Sequence, residues 1–160
     1  MEMKGEQLIP LTQTATWEAL NDPAVLKECI PGCESMEKRS DTEYQVVMTA
    51  KVGPVSARFK GKMTLADVDA PRSCTLQFEG QGGVAGFAKG QANVELVPGD
   101  GGTRLGYTAK AMVGGKLAQV GARLIDGVAR KLADQFFVAF TKRLSGAVET
   151  APANEEGQQR

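Results

Sequence analysis

What most constrains this chain is a change of period. Between Glu34 and Val113 apolar and polar residues alternate with a period of two. From Lys116 to about Val148 they recur at helical spacing, with Leu124, Val128, Leu132, Phe136, Phe140 and Leu144 four residues apart. The first pattern is that of half-buried strands, the second that of an amphipathic helix. A helix about 30 residues long cannot bury its apolar face alone. The strands offer the only large apolar surface to cover it, so the sheet must wrap the helix. The expectation is a single α+β domain over residues 1–148, a curved antiparallel sheet gripping one long C-terminal helix, followed by a polar tail over 149–160.

The details follow the same logic. Residues 3–10 read as a first strand that stops at Pro10. Thr12 or Thr14 is placed to cap a short helix carrying Trp17 and Leu20 on one face, and Asp22-Pro23 opens a second that ends before Ile30-Pro31-Gly32. Strands are expected over 44–52, 55–67, 74–80, 88–96 and 105–113, separated by Gly53-Pro54, Asp69-Ala70-Pro71, Gly82-Gly83 and Pro98-Gly99-Asp100-Gly101-Gly102. Short turns between successive strands mean an antiparallel meander. The helical stripe steps by four residues, so it drifts by roughly 40° per step. Two outcomes are open: the helix follows the stripe across a twisted sheet, or Phe137 and Phe140, near its end, leave the main core.

A close-packed core is built from Leu, Ile, Val and Phe. Much of the inward face here is small instead: Ala50, Ala57, Gly61, Gly80, Ala88, Gly90, Ala92, Ala109 and Ala111. Gly121 falls at the centre of the expected helix stripe, between Leu117, Leu124 and Val128, where glycine costs on the order of 1 kcal/mol relative to alanine. Two readings stand side by side. Strand glycines permit curvature and close backbone approach. Alternatively, small residues on both facing surfaces leave a cavity lined by Phe59, Gly61, Met63, Phe78, Tyr107, Ala109, Leu117, Gly121, Leu124 and Val128. The Gly-rich segment 80–90 would be a flexible lip touching the ligand through Val84 and Phe87. Such a cavity suits a flat or chain-like hydrophobic molecule.

Several chemistries are disfavoured. The chain has no histidine, the usual general base and the commonest zinc ligand. Cys29, Cys33 and Cys74 are too few for a zinc site, and Cys29-Ile30-Pro31-Gly32-Cys33 reads as a structural turn with buried thiols, a Cys29–Cys33 disulfide being the alternative. Lys plus Arg equals Asp plus Glu at 19 each, so bulk charge gives no sign of nucleic acid. No metal site and no tightly bound cofactor is expected. Without a signal-peptide pattern or a long apolar run, the expected location is the cytoplasm.

Short segments also resemble a known family. They are Trp17-Glu18-Ala19-Leu20-Asn21-Asp22-Pro23, Cys29-Ile30-Pro31-Gly32-Cys33, Val52-Gly53-Pro54-Val55 with Phe59-Lys60-Gly61, Gly102-Thr103-Arg104-Leu105 and Gly114-Gly115-Lys116-Leu117-Ala118-Gln119-Val120-Gly121. Together they resemble the carbon monoxide dehydrogenase G-subunit family of the START-related helix-grip superfamily. The resemblance implies a hydrophobic cavity, a quinone or similar lipid as ligand, a molybdenum hydroxylase-type dehydrogenase as partner, and peripheral contact with the inner face of the membrane. It implies no catalytic residues. A cyclase- or hydrolase-like enzyme of the same superfamily and a surface-acting assembly chaperone are the alternative readings.

Overall fold

The computed structural model describes the backbone of residues 1–150 and side chains as far as Ser145. β1 (Glu2–Ile9) leads into two short helices, α1 (Gln13–Leu20) and α2 (Pro23–Cys29). Thr12 caps α1 by accepting the Ala15 N–H, and Asp22 caps α2 by accepting the Ala24 N–H. Six strands follow: β2 (Cys33–Lys38), β3 (Glu43–Val52), β4 (Val55–Asp69), β5 (Ser73–Gln81), β6 (Phe87–Gly99) and β7 (Gly102–Gly114). All neighbours are antiparallel, in the order β1-β7-β6-β5-β4-β3-β2. The meander is as expected, and β1 closes it by pairing with β7. The long helix α3 (Ala122–Thr150) lies across the concave face. The tail expected over 149–160 falls outside the described residues except for its first two, which end α3.

The helix begins later than its periodicity suggests. Gly115–Val120 form a 3-10 turn, and Gly121 sits at φ +99°, between that turn and α3. Gly121 is therefore a backbone junction that an L-residue adopts only with strain. It is not an unfavourable residue inside the helix.

The core sits at one end of the molecule. Ile9, Val25, Cys29, Leu96, Leu105, Phe140 and Leu144 form one buried cluster, and Leu26, Met36, Tyr44, Leu65 and Cys74 form another. Trp17 and Phe136 touch both. Phe140 is 0% exposed, so it anchors the core, and of the two outcomes left open by the stripe the last aromatics do not leave it. The end that leaves is the first. Four steps of roughly 40° place Leu124 on nearly the opposite side of the helix from Phe140, and Leu124 is 39% exposed. Its side chain covers the β3–β4 turn, where a Cβ on Gly53 would lie 2.6 Å from Leu124 Cδ2.

Candidate functional site

Strand register shows why the other end stays open. Hydrogen-bonded neighbours align Val46, Gly61, Gly80, Ala88 and Val113 in one row across the concave face. A second row holds Leu65, Leu76, Ala92, Ala109 and Met3. Along β6 the inward residues grow from Ala88, Gly90 and Ala92 to Val94 and Leu96. Along antiparallel β7 they shrink from Leu105 and Tyr107 to Ala109 and Ala111. Large residues thus meet large ones at the core end, and small meet small at the other. The α3 residues above the small end are also modest: Ala122, Ile125, Val128, Ala129, Leu132 and Ala133.

The result is a cavity of about 880 Å³ between sheet and helix. Its wall is overwhelmingly apolar, and all six methionines of the chain border it. Methionine is flexible and polarisable, so such a wall adapts its shape and suits contact with aromatic rings. Phe78 points inward yet is 37% exposed, because it faces this space and its opening.

Polar groups in the wall are few: Asn21, Lys62, Glu79 and Asp126 border it, with Tyr107 and Cys74. Tyr107 stacks on Phe137, with ring centroids 5.6 Å apart, and its hydroxyl lies over Gly5. That hydroxyl makes no hydrogen bond among the described residues. Burial, with Asp134 nearby, pushes its pKa above the usual tyrosine value, so it stays a protonated donor at neutral pH. Cys74 also borders the cavity, and burial pushes its thiol pKa up, leaving little thiolate. Tyr44 donates to the Asn21 carbonyl at 2.8 Å, fastening β3 to the α1–α2 link beside the wall. The cavity can hold an apolar molecule, with Tyr107 able to donate a hydrogen bond to it.

Of the residues singled out from sequence, Phe59, Gly61, Met63, Phe78, Tyr107, Ala109, Leu117 and Val128 line this space. Four do not. Val84 is 87% exposed because Gly83–Ala85 fold into a 3-10 turn that buries Ala85 instead. Phe87 occupies the outward phase of β6, and a Cβ on its partner Gly114 would collide with the Phe87 ring. Gly121 and Leu124 border a separate outer groove of about 510 Å³ with Val120, Arg123, Gly127 and Lys131. Lining residues that were not singled out include Trp17, Met3, Met48, Leu132 and Phe136. Their alternation and helical spacing carried the signal, but it reads equally well as core.

The two readings of the small residues divide between residue types. A Cβ on Gly61 would strike the Glu79 carbonyl and the Gly80 backbone, so that glycine allows the strands to approach and bend. The alanines Ala50, Ala88, Ala92, Ala109 and Ala111 line the cavity. The three cysteines are free thiols, and the Ile30–Cys33 turn is held by a hydrogen bond from Thr49 N–H to the Gly32 carbonyl.

A curved seven-stranded sheet closed over a long C-terminal helix, with two small helices after the first strand, defines a helix-grip protein. The family model for the carbon monoxide dehydrogenase G subunit (CoxG) matches residues 5–145, and the chain belongs to that family. Among solved structures it is similar to a conserved protein from Geobacillus kaustophilus, at 30% identity and a TM-score of 0.85, covering 92% of this chain and 97% of that one. Two others share the fold. A Thermus thermophilus protein is 17% identical with a TM-score of 0.69, covering 92% and 99% of the two chains. The Zhui aromatase/cyclase from Streptomyces sp. R1128 is 12% identical with a TM-score of 0.68, covering 95% and 98%. No curated protein matches the chain. No helix among the described residues is long and apolar enough to cross a membrane.

Proposed function

We propose that this protein is a non-enzymatic carrier. It holds an isoprenoid quinone or a similar lipid between sheet and helix, and presents it to a molybdenum-dependent dehydrogenase of the carbon monoxide dehydrogenase type at the membrane surface. The observation that carries this reading is the cavity itself, about 880 Å³ with an almost wholly apolar wall. An empty apolar space of that size lowers stability, so a natural occupant is the economical explanation. Tyr107 supports a quinone in particular, since a protonated hydroxyl suits a carbonyl acceptor and the adjoining Phe137 ring suits a flat partner. Family membership supports the dehydrogenase as partner.

Organic extraction of the freshly purified protein followed by mass spectrometry tests the carrier directly. The expected result is an apolar molecule in near-stoichiometric amount. Protein that yields none and leaves added quinone unbound would overturn the reading.

A further inference from the structure

The two edges of the sheet are finished differently. β2, at one edge, is six residues long, carries a register shift at Cys33/Ser35 and has α2 packed beside it. Short, bulged and covered strands are how proteins keep an edge from pairing with another chain. β1, at the other edge, is eight residues long, keeps an unbroken register with β7 and contains no proline.

The hydrogen bonds at the start of β1 show which of its backbone groups face outward. Met1 and Ala111 exchange N–H···O bonds of 3.0 and 2.9 Å, so they form a hydrogen-bonded pair of the β1–β7 ladder. Such pairs alternate along antiparallel strands. Met3, Gly5 and Gln7 therefore turn their N–H and C=O groups toward β7, while Glu2, Lys4, Glu6 and Leu8 turn theirs away from it. These outward groups have no hydrogen-bond partner among the described residues. All four side chains are exposed on the convex face, and neither Lys4 nor Glu6 makes an ion pair among the described residues.

We propose that β1 is a self-association edge. Two copies of this chain pair antiparallel through it about a two-fold axis at Gly5, joining two seven-stranded sheets into one. Two-fold pairing is the commonest way for like chains to associate, and it sets residue i against residue j and j against i. Centred on Gly5, it brings the outward backbone groups of the two copies together. Lys4 then faces Glu6 of the second copy, and Glu2 faces Leu8. Each of these pairs exchanges two N–H···O bonds, and opposite charges meet twice across the seam. Centring the pair on Lys4 or Glu6 instead would set lysine on lysine or glutamate on glutamate, which is unfavourable. Lysine on an edge strand ordinarily deters pairing. Here the glutamate two residues further on makes the same lysine favour one register. This association goes beyond the carrier reading and does not depend on it.

Sedimentation velocity of the full chain at low salt, where exposed charges are least screened, tests this over loading concentrations from micromolar to millimolar. The wild type is expected to pass from monomer to dimer as concentration rises. Lys4→Glu and Glu6→Lys should each weaken dimerisation at least about tenfold, because each replaces two attractive pairs by two repulsive ones. Lys4→Glu/Glu6→Lys exchanges the charges and should restore it. Glu6→Pro removes one outward N–H without touching the ladder to β7, and should abolish the dimer. Circular dichroism checks that each variant is folded. The charge variants alter exposed side chains only, so they decide the matter even where the proline variant does not fold. A wild type that stays monomeric at every concentration, or forms larger unclosed assemblies, would overturn the proposal. So would a dimer indifferent to both single reversals, or a double exchange that remains as weak as the single ones.

Discussion

The two ends of the sheet–helix sandwich are made by the same elements and behave differently. At one end α3 presents Phe136, Phe140 and Leu144 to Ile9, Leu96 and Leu105, and the interior is sealed. At the other it presents Ala122, Ala129 and Ala133 to Ala88, Ala92 and Ala109, and the interior is hollow. The same strands run from one to the other, with register shifts at Cys33/Ser35 and Ala66/Asp69, and side-chain volume makes most of the difference. A single fold can thus divide its length into a half that provides stability and a half that provides space.

Truncation should break this contrast most visibly. Phe140→Ala at the sealed end should cost about 3–5 kcal/mol in denaturant unfolding. Leu132→Ala at the hollow end should cost clearly less, because its neighbours already leave room. Equal losses would mean that the two ends are packed alike.

Filling the space should reverse the pattern. Ala92→Leu/Ala109→Leu places two larger side chains side by side in one row of the wall. It should reduce binding of an added quinone at least about tenfold, while stability changes by less than about 1.5 kcal/mol. Gly121→Leu, which sequence alone would favour as a plug, should instead destabilise through its φ of +99° and leave the cavity unfilled.

The glycines give a smaller effect that separates curvature from volume. Gly61→Ala should cost roughly 1–3 kcal/mol, since its Cβ would strike backbone. Gly80→Ala should be nearly neutral, because its Cβ would meet Phe59 Cβ at an ordinary 3.6 Å.

Smallest is a pH effect at the exposed carboxylate of Glu34. Glu34 accepts hydrogen bonds from Thr49 Oγ1 at 2.5 Å and Arg58 Nε at 3.0 Å, and these hold its carboxyl below the ordinary value of 4.5. A depressed folded-state pKa contributes stability that is present above the unfolded value and lost as pH falls through the folded one. Acid titration below about pH 4.5 should therefore show a slope that Thr49→Val reduces without moving neutral-pH ligand binding.

Much of this was legible in the chain. The switch from period two to helical spacing specified the sheet, the helix and their contact. The small inward residues Ala88, Gly90, Ala92, Ala109 and Ala111 pointed to a cavity between sheet and helix, though not to which end it occupies. Periodicity does not report backbone handedness, however, so the 3-10 turn before Gly121 looked like the first turns of α3. The drift of the four-residue stripe was legible, but not which of its ends leaves the core, so Leu124 lies outside the cavity and Phe140 at the centre of the sealed core. Val84 looked like a ligand contact because it is apolar within a glycine-rich loop. A 3-10 turn decides which of Val84 and Ala85 faces inward, and that choice depends on its neighbours in β4 and the Gly115–Val120 turn.

The central claim is that the hollow end holds an apolar ligand. Titrating delipidated protein with a short-chain isoprenoid quinone, read by the fluorescence of Trp17, the single tryptophan and a wall residue, tests it most directly. The wild type should show a saturable one-to-one quench that Ala92→Leu/Ala109→Leu abolishes. A linear, unsaturable change in the wild type, or the same saturation in the filled variant, would contradict it.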